Sequence, residues 1–159
     1  MCLDAVFPSG VCTEEVAVDV HVETVVVLES HIDHLTGEEL GHAFGKLQEA
    51  GAVDVLWIPG VMKKNRPGGA LRAICLPDRL DAVQAAFFVH THTLGIRRSF
   101  VERVVLPREA GRVVTPHGEL AAKCYELEGV RYTRAEFEEL VKAAARDGTS
   151  LPGIRFEPS

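Results

Sequence analysis

An α+β fold is what the sequence predicts, and three observations predict it. Residues 16–32 alternate apolar and polar side chains on a period of two and are rich in valine, the pattern of a strand with one buried face. A helix with complete start and stop signals follows at once, in "HLTGEELGHAFGKLQEAGA". After it the chain reads strand, turn, strand, helix, strand. Strand-helix-strand-strand-helix-strand is the ferredoxin-like split βαββαβ order, a two-layer sandwich of helices on one antiparallel sheet.

Each element has its own justification. The first helix opens on a capping box, Thr36 as N-cap with Glu39 as its reciprocal partner, and Leu35 and Leu40 form the hydrophobic staple. Leu40, Ala43, Phe44 and Leu47 recur at helical spacing as an apolar stripe, and Gly51 stops the helix. "VDVLWIPGVM" reads as the second strand, irregular at Pro59; "KKNRPGG" is a turn and "ALRAICL" the third strand. Asp78 is expected to cap a second helix with Leu80, Val83 and Phe87 on one face, fraying at "HTHTLG" before the fourth strand, "IRRSFVERVVL". Beyond it, "GRVVTPHGELAAKCYEL" predicts a β-hairpin turning at Pro116-His117-Gly118. "YTRAEFEELVKAAARDG" predicts a C-terminal helix with a capping box of Thr133 and Glu136 and a staple of Tyr132 and Phe137. The expected division is an N-terminal extension over 1–23, the ferredoxin-like domain over 24–110, and a hairpin-helix appendage over 111–159.

A chain of 159 residues with 47% hydrophobic content can bury a core of this size. It contains no apolar run long enough to span a bilayer, and "MCLDAVFPSG" has neither a basic start nor a long apolar stretch. Cys2, Cys12, Cys75 and Cys124 are scattered and form no CxxC pair. A cytoplasmic protein with reduced thiols and no membrane association is the expectation. The net charge is −6, yet residues 61–112 hold ten Lys and Arg against four Asp and Glu. An acidic body with one cationic segment argues against coating nucleic acid and for a local site for a small anion such as a phosphate.

Strand order converts that segment into a candidate site. In the ferredoxin-like order 4-1-3-2, the end of the first strand, the turn between the second and third, and the entry to the fourth share one sheet edge. Here those places are "ESHIDHLTG", "MKKNRPGG" and "HTHTLGIRR". Lys63, Lys64, Arg66, Arg97 and Arg98 would converge on phosphate oxygens, with hydroxyl donors from Thr91 and Thr93 and the unpaired N–H groups that open the first helix. Glu29, His31 and Asp33 share one face of an extended strand, and carboxylates beside phosphates commonly hold Mg²⁺. Imidazoles at His31, His34, His90 and His92 suit a later ion such as Ni²⁺ or Zn²⁺ instead. The same residues admit a plainer reading, with "KKNRPGG" a solvated hairpin tip and each histidine facing solvent or satisfied in a loop. Neither His42, within the helix, nor His117, at the hairpin tip, takes a role.

The segments "LESHID…TGEELG", "LQEAGAVDV", "PGVMKKNRPG", "THTLGIRR", "VERVVLPRE" and "VTPHGELAAK" run in one family's order. Over about residues 24–153 the chain resembles the C-terminal domain of the nickel-insertion protein of nickel-pincer cofactor synthesis, a CTP-dependent cyclometallase. The resemblance implies binding of CTP with Mg²⁺ or Mn²⁺. It also implies lyase-class chemistry in which a cytidylyl group prepares a pyridinium bis-thiocarboxylate mononucleotide for nickel. It carries Lys63, Lys64, Asn65, Arg66, Pro67 and Gly68 onto the family's turn, and Thr91, Thr93, Leu94, Gly95, Ile96 and Arg97 onto its fourth-strand entry. Glu29, Ile32 and Asp33 match the family's strand end, E-T-N-I-D-D-M. Ser30, His31, His34 and Leu35 depart from it, and His34 removes a second carboxylate. Family members carry a long N-terminal domain before this region, so a separately encoded N-terminal half is an expected partner, as is a second copy of the chain. A divergent, non-enzymatic anion- or metal-binding module working through such contacts is the alternative.

Overall fold

The valine-rich alternation forms β1 (His21–Ile32), whose inward residues Val26, Leu28, Ser30 and Ile32 are buried while His31 between them is exposed. The structure, a computed structural model, describes residues 18–155. Cys2, Cys12 and the first two residues of the expected opening strand therefore lie outside the described residues. The chain divides into two compact units, one spanning Val22–Val105 and the other built from Leu106 onward together with the described residues up to His21.

In the first unit β1 leads into α1 (Gly37–Glu49), β2 (Ala52–Met62), a 3-10 turn (Lys63–Asn65), β3 (Arg66–Cys75), a second 3-10 turn (Pro77–Arg79), α2 (Leu80–Thr91) and β4 (Arg97–Val105). The sheet order is β2-β3-β1-β4, as the split βαββαβ reading requires. β3 pairs antiparallel with both β1 and β2, so that Glu29, Arg72 and Leu56 form one row across the sheet and His31, Ala70 and Ile58 the next row on the same face. The expected capping box of α1 is complete: Thr36 Oγ1 accepts from the Glu39 N–H at 3.2 Å, and Glu39 Oε2 accepts from the Thr36 N–H at 2.7 Å. Gly51 follows the helix with φ +107°, a left-handed conformation open to glycine.

α1 and α2 cover one face of the sheet. Val26, Leu28, Ile32, Leu47, Leu71, Val83 and Phe87 form the core, with Leu35, Leu40, Phe44 and Leu80 packed around it. Each large side chain fully buried here contributes roughly 1.5–3 kcal/mol through removal from water. On the strands, Leu56, Ile58, Phe100 and Val104 are exposed.

Asp78 does not cap α2. It lies in the 3-10 turn that Pro77 begins, and the residue at the cap position, Arg79, makes no side-chain capping bond. Proline's fixed φ suits the opening of that turn, which moves the helix start past the aspartate. Nor does α2 fray. His92 closes it in the left-handed conformation at φ 51°, its N–H donating to the Phe88 carbonyl at 2.9 Å.

The second unit holds β5 (Glu109–Thr115), β6 (Gly118–Leu127), β7 (Val130–Ala135), α3 (Phe137–Asp147) and α4 (Leu151–Arg155). Its sheet runs β5-β6-β7, with Thr115 paired to Gly118 across the expected Pro116-His117 turn. The third strand is an addition to the expected hairpin. Thr133 and Tyr132 belong to β7, where Tyr132 stacks on its cross-strand partner Tyr125 with ring centroids 5.5 Å apart. The Thr133–Glu136 capping box is therefore absent, and α3 starts from Glu136 without a side-chain cap. Leu120, Ala143, Ala144 and Ile154 make a small core of their own, with Val113, Ala135 and Leu140 against it.

Candidate functional site

The end of β1, the β2–β3 turn and the α2–β4 loop open together onto one cleft of about 1030 Å³. Lys63, Arg66 and Arg97 line it from two of those segments, and Asp33, His31 and His34 line it from the first. Ile58, Val61, Met62 and Leu94 supply an apolar wall. A tight turn makes this possible. Lys64 and Asn65 both adopt left-handed backbone, at φ 61° and 57°, a conformation asparagine tolerates and lysine rarely adopts. The following glycines admit close backbone approach. A Cβ on Gly68 would lie 2.5 Å from the Ile32 carbonyl oxygen and 2.8 Å from Met62 Sδ, and one on Gly69 would run into the Ile58 carbonyl and the Trp57 ring.

Acidic side chains hold the arginines in place. Glu29 Oε2 accepts from Arg72 Nη2 at 2.6 Å and Nε at 3.0 Å, and its Oε1 accepts from Arg97 Nη2 at 3.1 Å. The Arg72 guanidinium beside Glu29, with Arg97 on its other oxygen, holds that carboxyl below the usual carboxylate range against the opposing effect of burial. Asp33 Oδ2 accepts from Arg66 Nη1 at 3.3 Å. His34 Nε2 donates to the Thr91 carbonyl at 2.7 Å, which fixes the proton on that nitrogen in the neutral ring. Its Nδ1 is then a free lone pair, 3.8 Å from Asp33 Oδ1. Lys63 and Lys64 are exposed and have no ion-pair partner among the described residues.

Several expected donors are used elsewhere. Thr91 is fully buried and its hydroxyl donates to the Phe87 carbonyl at 2.7 Å, ending the helix rather than facing the cleft. Thr93 lines the cleft, but its hydroxyl lies 2.6 Å from Ser30 Oγ and 3.2 Å from the Gly95 carbonyl, so internal acceptors take its hydrogen. The opening of α1 is a poor anion site, because its capping box occupies the Thr36 and Glu39 N–H groups and Glu38 and Glu39 make the first turn negative. Arg98 turns to Gln84 on α2, with Nη1 to Oε1 at 3.2 Å. His90 leaves the group as well and sits against His42. Glu29 is saturated by two guanidiniums, and among the described residues no three His, Cys, Asp or Glu side chains gather as a metal cluster. Of the four expected metal ligands, Asp33 and His34 are adjacent in space, and His31 is exposed on the same cleft.

Arg72 had no place in the sequence argument, and Ser30 entered it only as a departure from the family's strand end. Counting outward from the "RPGG" turn sets Arg72 opposite Leu56 on β2, whereas its pairing with Glu29 belongs to the β1–β3 ladder, which that turn does not fix. The place of Ser30 was not legible either, because the hydroxyl cluster with Thr93 and Gly95 joins residues more than sixty positions apart.

The family described as "Nickel insertion protein" matches residues 5–155. A pyridinium-3,5-bisthiocarboxylic acid mononucleotide nickel insertion protein of Alkaliphilus metalliredigens is 36% identical over 147 residues, 89% of this chain and 35% of that protein. A putative nickel insertion protein of a Picosynechococcus species is 38% identical over 135 residues, 84% of this chain and 33% of that one. The chain thus spans about a third of the length of the curated relatives it matches. Among solved structures, the apo C-terminal domain of a cyclometallase involved in synthesis of the NPN cofactor of lactate racemase superposes with a TM-score of 0.75 and 26% identity, covering 84% of this chain and 93% of that one. The chain belongs to the nickel insertion protein family.

Proposed function

We propose that this cleft binds the triphosphate of a nucleotide, CTP, with Mg²⁺ or Mn²⁺, and that the chain serves nickel insertion in nickel-pincer cofactor synthesis by holding that nucleotide. The observation that carries the reading is the meeting of Lys63, Arg66 and Arg97 with Asp33 around one cleft of nucleotide size. Three cations suit a polyphosphate, and Lys63 is free to move onto it. Arg66 and Arg97 already point along the cleft because Asp33 and Glu29 hold them, so little ordering is needed on binding. Mg²⁺ is ordinarily held by one or two carboxylates together with substrate phosphates, and Asp33 is the carboxylate lining this cleft. Bound CTP would supply the group to be transferred. The protein's part is positioning and charge neutralisation, which calls for no nucleophilic side chain. Ile58, Val61 and Leu94 give a nucleobase or the acceptor an apolar surface to lie on. The exposed strand residues Leu56, Ile58, Phe100 and Val104 suit contact with a second copy or with a separately encoded N-terminal half.

Calorimetric titration with CTP and MgCl₂ tests this. Saturable binding by the natural chain should weaken tenfold or more in Lys63→Ala and in Arg66→Ala, since a hydrogen bond to a charged group is worth about 1.5–3 kcal/mol. No saturable binding, or affinity unchanged in both variants, would overturn the reading.

A second reading, a metal-binding module without catalysis, is favoured by one observation: the His34 ring is locked with Nδ1 free beside Asp33. That pair is a better match to a late transition ion than to Mg²⁺. Ni²⁺ binding indifferent to CTP and lost in the His31→Ala/His34→Ala double variant would favour this reading over the first.

A further inference from the structure

His42 on α1 and His90 on α2 lie edge to face, with ring centroids 5.5 Å apart and planes at 70°. Neither lines the cleft. Their helices pack over a common core, so the two Cα positions are fixed relative to one another by buried neighbours: Ala43 and Leu47 on one side, Val83 and Phe87 on the other. His42 is exposed and His90 half-buried, and neither ring makes a hydrogen bond to a carboxylate or carbonyl among the described residues. Two imidazoles held together at a helix–helix surface, with no hydrogen bond on either ring among the described residues, are candidate metal ligands.

The spacing can be compared with metal chemistry. With metal–nitrogen bonds of about 2.0–2.1 Å, each imidazole centroid sits about 3 Å from the ion, so two rings on one ion lie about 4.5–6 Å apart. The observed separation falls inside that range without moving either helix. Two nitrogen donors exclude Mg²⁺ and Ca²⁺, which take oxygen, and select the borderline divalent ions Cu²⁺, Ni²⁺ and Zn²⁺. The local charge is permissive. Glu49, two turns beyond His42, is paired with Lys46 at 2.6 Å, and Lys46 first, with the two imidazoles beyond it, holds the Glu49 carboxyl below its usual range. Glu38 stands one helical turn before His42 on the same face.

We propose that His42 and His90 form a two-histidine docking site for a late divalent transition ion, on the helical layer and separate from the cleft. Water completes the coordination, so the site exchanges its ion readily, as a docking or transfer site must. The proposal does not rest on the nucleotide reading.

The test is titration of the full chain with NiCl₂, and in parallel CuCl₂, in the His31→Ala/His34→Ala background, followed by calorimetry and by the visible absorption of bound Cu²⁺. One ion should bind per chain. Adding His42→Ala or His90→Ala should each weaken binding tenfold or more and to the same extent, with unchanged far-ultraviolet circular dichroism. His42→Asn, which keeps a polar side chain at that position, should weaken binding as much as His42→Ala does. Binding unchanged by both substitutions, or lost with one and intact with the other, overturns the site. So does absence of binding in the background chain, which would leave the ring contact as packing.

Discussion

Arg97 donates to Glu29 across the β1–β4 boundary, with Nη2 3.1 Å and Nε 3.3 Å from Oε1, while Arg72 holds the other oxygen. One carboxylate therefore positions the arginine that lines the cleft and neutralises the arginine on its other side, on β3. Glu29→Gln keeps the shape but removes the charge that both guanidiniums face. It should cost about 1 kcal/mol at neutral pH, a value reduced by solvent screening because both arginines are more than a third exposed. The folded carboxyl titrates below its ordinary value of 4.5, so its contribution is complete above that value and is lost as the pH falls through the lower, folded one. Urea denaturation at pH 7 and at steps towards pH 3 should show the natural chain and Glu29→Gln converging in acid. Equal stability at pH 7 would show that the two ion pairs contribute nothing.

Gly69 sits between the Ile32 and Pro59 positions of the neighbouring strands, and the space its missing side chain leaves is filled by the Ile58 carbonyl and the Trp57 ring. Gly69→Ala forces backbone or indole to move and should destabilise the unit by about 2–3 kcal/mol. Gly45 offers the opposite case. It lies inside α1 with nothing within 4 Å of a built Cβ, and Gly45→Ala should stabilise by about 0.5–1 kcal/mol through helix propensity. Thermal denaturation of the two variants side by side decides the matter. Similar melting temperatures would mean that the close approach at Gly69 relaxes without cost.

The first strand and the capping of α1 were legible because their causes are local: valine alternation in β1, Thr36 and Glu39 three residues apart, glycine at position 51. The convergence of "MKKNRPGG" and "HTHTLGIRR" on one edge followed from topology alone. What escaped was set by competition between local signals or by distance. Thr133 and Glu136 have capping-box spacing, but Tyr132 gains more by stacking on Tyr125 in a strand, and β7 wins. Thr91 and Thr93 are chemically fit to bind phosphate. Only the fold reveals that the Phe87 carbonyl, Ser30 and the Gly95 carbonyl already occupy their hydroxyls. His90 was grouped with the cleft by sequence proximity, whereas helical rotation turns it towards His42.

At the far end of the chain, Asp147 closes α3 between two cationic or cation-forming partners. Arg146 Nε lies 2.7 Å from its Oδ1, and His117 Nδ1 lies 2.8 Å from its Oδ2. Arg146 also donates to the His117 carbonyl, so the three residues form a closed set that ties the β5–β6 turn to the helix end. Arg146 first, and His117 after it, lower the Asp147 carboxyl from 3.8 to about 2. A carboxyl lowered on folding stabilises the folded chain above its unfolded value, and that contribution disappears as the pH falls from 3.8 towards 2. Carbon-13 NMR titration of the Asp147 side chain should give a midpoint near the lower value. Arg146→Ala should raise that midpoint more than His117→Ala does, because the guanidinium is the larger cause. A midpoint at the ordinary value in the natural chain, or one unmoved by Arg146→Ala, would mean that the guanidinium contact is not held in solution and that the turn and the helix end are not joined through Asp147.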